Sequence, residues 1–326
     1  MALRLLRHGP ASRADLAETL GLSAPTLTRT TAPLLALGLV SEGQPRVAGA
    51  YGRPSVPLIA HADAGVLLGV SITHHDVVMV ATDLRATILA SRSEPVAETS
   101  VTAIAEAIGR LAADLSRELG RDRVLAVGVC LGGNVEGGRR VLHAPFLGWA
   151  DVALADVLEP LVGLPVLVEN DLAALAEAEV WFGVGLTVGR FIVITVGVGT
   201  GYALVIDREV ITNADSGFGT MTEPLLRNWP DFARSAQMTP AQADQAASRV
   251  GKLIGTAAAF AMPDHVVLGG EAAHVLIGRE DAIQRGIETV RHRLAGRLPV
   301  TVHDPGFGFW ARGAAVCALS WVAAPR

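Results

Sequence analysis

Beyond the first sixty residues, patterns of strands and helices alternate, and the same order occurs twice. Strand patterns over residues 65–94 precede an amphipathic helix pattern over 100–119. Further strand patterns over 190–210 precede a helix pattern over 246–262. The stretch "VLAVGVCL" (124–131) is apolar throughout, which is typical of a strand covered on both faces. This order predicts two α/β lobes with a cleft between them.

The composition is that of a packed globular protein. Half of the 326 residues are hydrophobic and 18% are charged. No apolar run approaches the roughly 20 residues that span a bilayer. Because the first residues also lack the apolar core of a signal peptide, we expect a cytoplasmic protein with no membrane partner. Cys130 and Cys317 are too few for a disulfide framework or a Cys-rich zinc site, and Cys130 lies in an apolar run that predicts a buried thiol.

The charge is distributed unevenly along the chain. The formal net charge is −5. Residues 1–60 hold six arginines against three acidic residues, a net charge of +3, which leaves −8 for the remainder. A basic head on an acidic body indicates that only the head meets a polyanion.

The basic head contains two short helix patterns joined by a tight turn. Ser12 can cap a first helix that Gly21 ends, and Ser23 can cap a second helix that runs toward Leu37. Two short helices joined by a turn that contains glycine are typical of a helix-turn-helix. Pro33 is expected to kink the second helix, beyond its DNA-reading positions. An ordinary helical hairpin is the alternative interpretation.

The segment that follows, residues 39–60, predicts a two-stranded wing. In a winged helix-turn-helix the second helix enters the major groove, and basic wing residues contact phosphates. The residues predicted to contact DNA are Ser23, Thr26, Thr28, Arg29, Arg46 and Arg53.

Three segments of the body resemble one protein family. Residues 144–183, which contain "VENDLAALAE", residues 194–211 and residues 265–276 are similar to the ROK family of repressors, open reading frames and sugar kinases. The resemblance implies an α/β, actin-like (ribonuclease-H-like) two-lobe ATPase fold. The N-terminal winged helix-turn-helix domain is the arrangement of the family's repressor branch.

The resemblance also implies a division of the chain. The DNA-binding domain would cover residues 1–60, and a two-lobe ligand-sensing and oligomerisation body would cover residues 61–326. The lobes would lie at approximately 61–185 and 186–326. The C-terminal helix is a candidate to return to the first lobe.

The resemblance places a ligand site after the "VEN" strand. In the family's kinases, a carboxylate at this point accepts the proton of a sugar hydroxyl, and the matching residue is Asp171. Asn170 or Asp171 can equally cap the helix that follows. The implied ligand-binding residues are Asn134, Phe146, Asn170, Asp171 and Glu223.

Glycines follow two strands of the second lobe, in "TVGVGTG" and "HVVLGG". Glycine lets backbone amides approach a phosphate, but it also permits a tight hairpin, and both interpretations stay open. The residues implied in nucleotide-like loops are Gly197, Gly199, Thr200, Gly201, Gly269 and Gly270.

Several positions depart from the pattern of active family kinases. Ser71 replaces the Asp that helps to organise Mg²⁺, and His74 and His75 stand in place of a glycine-rich turn. Phe146 replaces a sugar-contacting Asn, although a phenyl ring can stack on the apolar face of a sugar. Thr220 stands where a zinc-binding His is usual, and the family's zinc cluster has no counterpart.

These departures decide the functional prediction. Adjacent histidines on a strand point to opposite faces, so we predict no metal site there. We expect a transcriptional regulator, acting as a repressor, whose catalytically inactive body senses a carbohydrate or sugar phosphate. Its partners would be double-stranded operator DNA and a second copy of itself, as a homodimer or homotetramer, and no cofactor is expected. The alternatives are an ATP-dependent sugar kinase that uses Asp171 as its base, and a regulator whose body serves only for dimerisation.

Overall fold

The computed structural model describes residues 1–45, 55–197, 200–213, 238–303 and 306–323. Residues 1–60 are called the head below, and its described residues form a helical layer against an antiparallel sheet of order β1-β3-β2. Leu16 and Leu27 lie in its buried core. The elements of the head are α1 (Ala2–His8), β1 (Ala11–Ser12), α2 (Arg13–Leu20), α3 (Ala24–Ala36), β2 (Val40–Glu42) and β3 (Pro57–Ala60).

Both predicted helix caps of the head are confirmed. The Ser12 hydroxyl accepts a hydrogen bond from the Asp15 amide at 3.1 Å, and the Asp15 carboxylate accepts one from the Ser12 amide. The Ser23 hydroxyl accepts a hydrogen bond from the Thr26 amide at 3.3 Å. Gly21 ends α2 in the left-handed conformation. The second helix continues through Pro33 to Ala36.

The first lobe is a mixed sheet covered by helices. Its strand order is β11-β7-β4-β5-β6, in which β4, β7 and β11 are parallel and β4, β5 and β6 are antiparallel neighbours. A small antiparallel sheet of order β10-β9-β8 was not predicted. The elements are β4 (Val66–Ile72), β5 (Asp76–Thr82), β6 (Ile88–Pro95), α4 (Val101–Leu119), β7 (Val124–Leu131), β8 (Asn134–Glu136), β9 (Arg140–Ala144), β10 (Trp149–Val152), α5 (Leu154–Val162), β11 (Val166–Asn170) and α6 (Asp171–Phe182).

The second lobe repeats this design, which confirms the predicted α/β architecture. Its sheet has the order β14-β13-β12-β15-β16, with β12 antiparallel to β13 and parallel to β15. The strand expected over residues 200–210 is two strands, because Asp207 and Arg208 form a turn with φ of 53° and 66°. The elements are β12 (Phe191–Val196), β13 (Thr200–Ile206), β14 (Glu209–Ile211), α7 (Pro240–Ala261), β15 (His265–Gly269), α8 (Glu280–Glu288), β16 (Val300–Val302) and α9 (Phe307–Ala323).

Helices α6 and α9 pack together and join the two sheets. One buried cluster unites Ala178 of α6 and Ala315 of α9 with Cys130 of β7 and Phe191 of β12. The C-terminal helix α9 therefore lies against the first-lobe sheet. Within the described ranges, no helix is both long enough and apolar enough to cross a bilayer.

Candidate functional site

The first wall of the cleft forms where β7 and β11 end side by side. Leu131 and Asn170 pair as the last residues of these parallel strands. A Cβ atom at Gly132 would lie 3.5 Å from Oδ2 of Asp171 and 3.7 Å from Cδ2 of Phe146. The carboxylate and the phenyl ring thus both lie beside Gly132, and the space that they border is called the recess below. Phe146 is 55% exposed, although it is a large apolar residue.

Asn170 holds this wall in place. Its side-chain oxygen accepts hydrogen bonds from the amides of Leu172 and Ala173 at 3.0 and 3.1 Å, which caps α6. Its side-chain nitrogen donates to the carbonyl of Gly133 at 2.8 Å. Asn170 therefore ties the glycine turn after β7 to the start of α6, and its role in the structure is positioning.

Asp171 is the titratable group at the bottom of the recess. Burial raises the pKa of this carboxyl from 3.8 to about 6, and the nearby negative charge of Glu271 acts in the same direction. Asp171 keeps some contact with solvent, yet protein surrounds it on most sides. The Leu172 amide donates to its Oδ1 at 2.7 Å. A carboxyl with a pKa near neutrality can both donate and accept hydrogen bonds, as binding a hydroxyl requires.

Ser71 forms part of the floor beneath this recess. It is 3% exposed, and its hydroxyl is hydrogen-bonded to Cys130 on the neighbouring strand. The Cys130 thiol donates in turn to the carbonyl of Trp310 on α9 at 3.4 Å. Burial and the charge of Asp171 raise the pKa of Cys130 far above its usual value, so the thiol stays protonated. The residue in place of a magnesium-organising Asp is therefore a neutral hydroxyl, and it is held by its contacts with β7 and, through Cys130, with α9.

The second wall comes from the loops that follow β12 and β15. A Cβ at Gly197 would lie 2.6 Å from a carboxylate oxygen of Glu271, and a Cβ at Gly201 would lie 2.9 Å from Leu172 on α6. The Gly201 amide donates to the hydroxyl of Thr195 at 3.1 Å. These loops therefore meet the start of α6 and bring Glu271 toward Asp171.

The other predicted loop and ligand residues that the structure describes lie at or next to the ends of strands. Gly269 ends β15 and faces Leu175, Gly270 has a φ of 98° beside Val196, and Thr200 is buried at the start of β13. Asn134 is buried as the first residue of β8. Gly199, Thr220 and Glu223 lie outside the described residues.

The two histidines lie at the exposed turn of the first hairpin and not on a strand, so the expectation that they point to opposite faces is wrong. Their ring centroids are 3.7 Å apart, and the turn is held by Thr73, whose hydroxyl accepts hydrogen bonds from the amides of His75 and Asp76. In the part of the chain that the structure describes, no three His, Cys, Asp or Glu side chains form a group that could hold a metal ion.

Helix α3 is the second helix of the predicted helix-turn-helix, and part of its surface is exposed to solvent. Thr28 and Arg29 are exposed on α3, Ser23 is exposed at its start, and Thr26 is partly exposed. The Thr28 hydroxyl donates to the carbonyl of Ala24, which leaves its lone pairs pointing away from the helix. The two predicted wing arginines, Arg46 and Arg53, lie outside the described residues.

Two residues of functional interest were missed from the sequence. Glu271 directly follows the glycine pair after β15, and a carboxylate at the end of a cleft strand was the available signal. Arg7 lies on α1 and donates a hydrogen bond to the carbonyl of Val180, at the C-terminal end of α6. No local pattern in the sequence marks a contact between residues so far apart.

Comparison with known proteins gives related sequences. A family model described as the ROK family matches residues 67–222. A transcriptional regulator of Mycobacterium tuberculosis (strain ATCC 25618 / H37Rv) is 34% identical over 183 residues, which are 56% of this chain and 41% of the relative. A xylose repressor of Bacillus spizizenii (strain ATCC 23059 / NRRL B-14472 / W23) is 24% identical over 220 residues, 67% of this chain and 57% of the relative. The chain thus spans about half the length of the curated relatives it matches.

Solved structures show the same fold. A ROK family transcriptional regulator, a homologue of the E. coli MLC protein, superposes with a TM-score of 0.75 at 18% identity and covers 98% of this chain and 94% of its own. A ROK family glucokinase from Streptomyces griseus, in complex with glucose and AMPPNP, superposes with a TM-score of 0.64 at 22% identity over 77% of this chain and 98% of its own. The fold of this chain is the one that these two ROK structures share, and the ROK family model matches residues 67–222 of the chain.

Proposed function

We propose that the chain is a DNA-binding transcriptional regulator of the repressor type, whose body senses a ligand and has no kinase activity. The observation that carries this proposal is the helix-turn-helix, with Thr28 and Arg29 exposed on its second helix. Hydroxyls and a guanidinium at this position suit base edges and phosphates in the major groove. The relatives named as a transcriptional regulator and a xylose repressor support the same function.

The proposed division of labour follows the two parts of the chain. Residues 1–60 bind operator DNA, and residues 61–326, with lobes at about 61–185 and 186–326, bind the ligand and a second copy. A homodimer or homotetramer places two heads on half-sites roughly 34 Å apart or a multiple of this spacing. Such a regulator works in the cytoplasm, where its operator is.

The absence of kinase activity in this proposal rests on the floor of the cleft. A kinase of this type needs a carboxylate there to organise Mg²⁺ beside the transferred phosphate. Ser71 supplies a neutral hydroxyl that is buried and already hydrogen-bonded to Cys130.

The ligand class that we propose is a neutral carbohydrate. Asp171 and Glu271 bring carboxylates of both lobes to the cleft, which disfavours a phosphorylated sugar through like-charge repulsion. The Asp171 carboxyl can bind hydroxyl groups, and the exposed ring of Phe146 beside it can stack on the C–H face of a pyranose.

Fluorescence anisotropy with a labelled duplex from the gene's own promoter region tests the DNA-binding function. Raising the salt from 50 to 200 mM should weaken binding about 10³-fold if six phosphates are contacted. Arg29→Ala should weaken binding about tenfold, as expected for loss of one base or phosphate contact. Arg110→Ala, which removes an exposed arginine of α4, is the matched control and should bind like the wild type. Equal affinity for the promoter duplex and a shuffled duplex would contradict the proposal.

A sugar kinase is the second candidate, and Asp171 is the observation in its favour. A carboxyl with a pKa of about 6 in a cleft could take a proton from a sugar hydroxyl. Incubation with ATP, Mg²⁺ and a panel of hexoses and amino sugars tests this function. Sugar phosphate formation that Asp171→Asn abolishes would establish the kinase and overturn the inactive-body proposal.

A body that serves only for dimerisation is the third candidate. A thermal-shift screen of sugars, sugar phosphates and nucleotides separates it from a sensor. A ligand at 100 times its Kd should stabilise the folded protein by about 2.7 kcal/mol. Phe146→Ala should reduce the shift from a neutral sugar, whereas no shift with any compound favours the dimerisation-only body.

A further inference from the structure

The head is docked at the far end of the helix that begins in the ligand cleft. Helix α6 has 12 residues, from Asp171 to Phe182, and spans about 18 Å. At its C-terminal end, the carbonyl of Val180 accepts a hydrogen bond from Nη2 of Arg7 at 2.7 Å. The same guanidinium lies 5.2 Å from the ring centroid of Trp181. One helix therefore contacts the cleft at its start and α1 of the head at its end.

The contact between α1 and α6 combines charge, stacking and apolar burial. The indole nitrogen of Trp181 donates to Glu177 at 2.7 Å, which fixes the ring that Arg7 covers. Leu6 is buried in the same cluster as the apolar faces of α6 and α9. Arg4 Nη1 and Arg7 Nε are buried without a hydrogen-bond partner among the described residues. The contact is specific, but these unsatisfied donors reduce its strength.

The β13–β14 turn of the second lobe also lies near the C-terminal end of α6. Nε of Arg208 in this turn donates to the carbonyl of Gly185, shortly after the end of α6, at 2.9 Å. Burial lowers the pKa of Arg7, and the nearby positive charge of Arg208 acts in the same direction. A movement of the second lobe relative to the first therefore changes the surroundings of Arg7 as well.

Helix α6 is rigid enough to carry a displacement from one end to the other. Its buried face packs along α9, and Asn170 caps its first turn while holding the carbonyl of Gly133. A packed helix moves as a unit, because its own hydrogen bonds and its neighbours resist bending.

We propose that α6 couples the ligand cleft to the DNA-binding head, and that Arg7 is the positioning residue that seats the head on the body. A ligand that contacts Asp171 or closes the lobes shifts the start of α6. The shift changes the Arg7–Val180 contact and with it the position of the head. The regulatory meaning of this coupling rests on the proposed function, but the docking and the coupling themselves do not.

Hydrogen exchange of the full chain, without DNA or ligand, tests the coupling. Arg7→Met should speed exchange of residues 2–8 about tenfold, because it removes a hydrogen bond from a charged donor. Asn170→Ala should speed exchange at the start of α6 and, through α6, in residues 2–8. The double variant should exchange in residues 2–8 no faster than Arg7→Met alone, because the connection is already broken.

Ser100→Ala is the matched control for the cleft-end variant. Ser100 caps α4, which lies elsewhere in the first lobe, by accepting a hydrogen bond from the Ala103 amide. This variant should speed exchange at the start of α4 and leave residues 2–8 as in the wild type. Asn170→Asp keeps a capping oxygen and replaces Asn170→Ala if the alanine variant does not fold; it loses the donor to Gly133, so a smaller increase in residues 2–8 is expected.

Two results would overturn the proposal. If Arg7→Met leaves exchange of residues 2–8 unchanged, the head is not seated by Arg7. If the Asn170 variants speed exchange in α6 but not in residues 2–8, the head is seated but not coupled to the cleft. Neither result depends on DNA binding, so a failure of the coupling is distinguishable from a failure of the regulator function.

Discussion

Asp171 is a residue that the fold retains at a cost. Burial raises its pKa from 3.8 to about 6, so the folded protein favours the protonated carboxyl. The stability that this preference contributes is complete below pH 3.8 and is lost as the pH rises through about 6. At neutral pH the ionised group is therefore destabilising, which is typical of a residue kept for binding or catalysis.

Asp171→Asn should stabilise the protein at high pH. The full shift corresponds to about 3 kcal/mol, and because Asp171 keeps some solvent contact we expect about 1–2 kcal/mol at pH 8. The gain should shrink at pH 5, where the wild-type carboxyl is largely protonated. Urea unfolding at both pH values measures the difference.

The control for this prediction is Asp114→Asn, which changes an exposed carboxylate on α4. It should alter the free energy of unfolding by less than about 0.5 kcal/mol at either pH. A gain for Asp171→Asn that is the same at pH 5 and pH 8 would show that the titration of Asp171 is not its cause.

At the scale of elements, α9 lies so close to the first-lobe sheet that glycine is required beneath it. A Cβ at Gly69 on β4 would overlap the carbonyl oxygen of Ala311, and one at Gly128 on β7 would overlap that of Ala314. Both obstacles are helix backbone, so α9 itself would have to move.

Gly69→Ala should destabilise the protein by about 3 kcal/mol, because the core cannot absorb the added methyl group without strain. Gly109→Ala is the matched comparison inside α4. Its Cβ would meet only Leu161, at an ordinary 3.8 Å. This change should stabilise the protein by about 0.5–1 kcal/mol, since alanine favours helix more than glycine does. Equal effects of the two substitutions in urea unfolding would contradict the close approach of α9.

Elements with strong local signals were predictable from the sequence, and contacts between distant elements were not. The caps at Ser12 and Ser23 are predictable, because each hydroxyl accepts a hydrogen bond from an amide only three residues later in the sequence. The turn at Asp207 and Arg208 was missed, because neither residue is a glycine despite its positive φ. Helix α1 was missed because it is short and is stabilised by packing on the body.

The candidate site shows the same limit. Asp171, Asn170 and Phe146 were assigned from a resemblance, and the structure brings Asp171 and Phe146 to one recess at Gly132. The approach of Glu271 to Asp171 depends on how the two lobes meet, which no local pattern records. The contact of Ser71 with Cys130 likewise depends on the pairing of β4 with β7 and on the position of α9, and neither is visible in a local sequence pattern.

For the molecule as a whole, a contact between a buried carboxylate and an imidazole joins the two lobes beside α9. Glu179 on α6 is 2% exposed, and one of its oxygens lies 3.0 Å from Nε2 of His303, which follows the second-lobe strand β16. Burial raises the pKa of Glu179, but the contact with His303 and the charge of Arg312 on α9 outweigh burial, and the pKa lies below its usual value.

The sign of this shift fixes the pH range in which the contact matters. A lowered folded pKa means that the contribution of Glu179 to stability is present above the usual pKa of a glutamate and is lost as the pH falls through the folded value. At pH 7.5 the carboxylate is therefore charged and depends on its partners. Loss of His303 would leave the buried carboxylate with the Val184 amide and the charge of Arg312 as its partners among the described residues.

His303→Leu should accordingly destabilise the protein by about 1–3 kcal/mol at pH 7.5, because it removes a polar partner of the buried Glu179 carboxylate. The double variant with Glu179→Gln should recover much of that loss, because no uncompensated charge then remains between the lobes. Urea unfolding of the wild type, both single variants and the double variant measures this coupling. His303→Gln, which keeps a polar side chain, is the control and should lose less than His303→Leu. If the two single losses simply add in the double variant, Glu179 and His303 do not act as a pair, and the lobes are held together by the apolar packing of α6 on α9 alone.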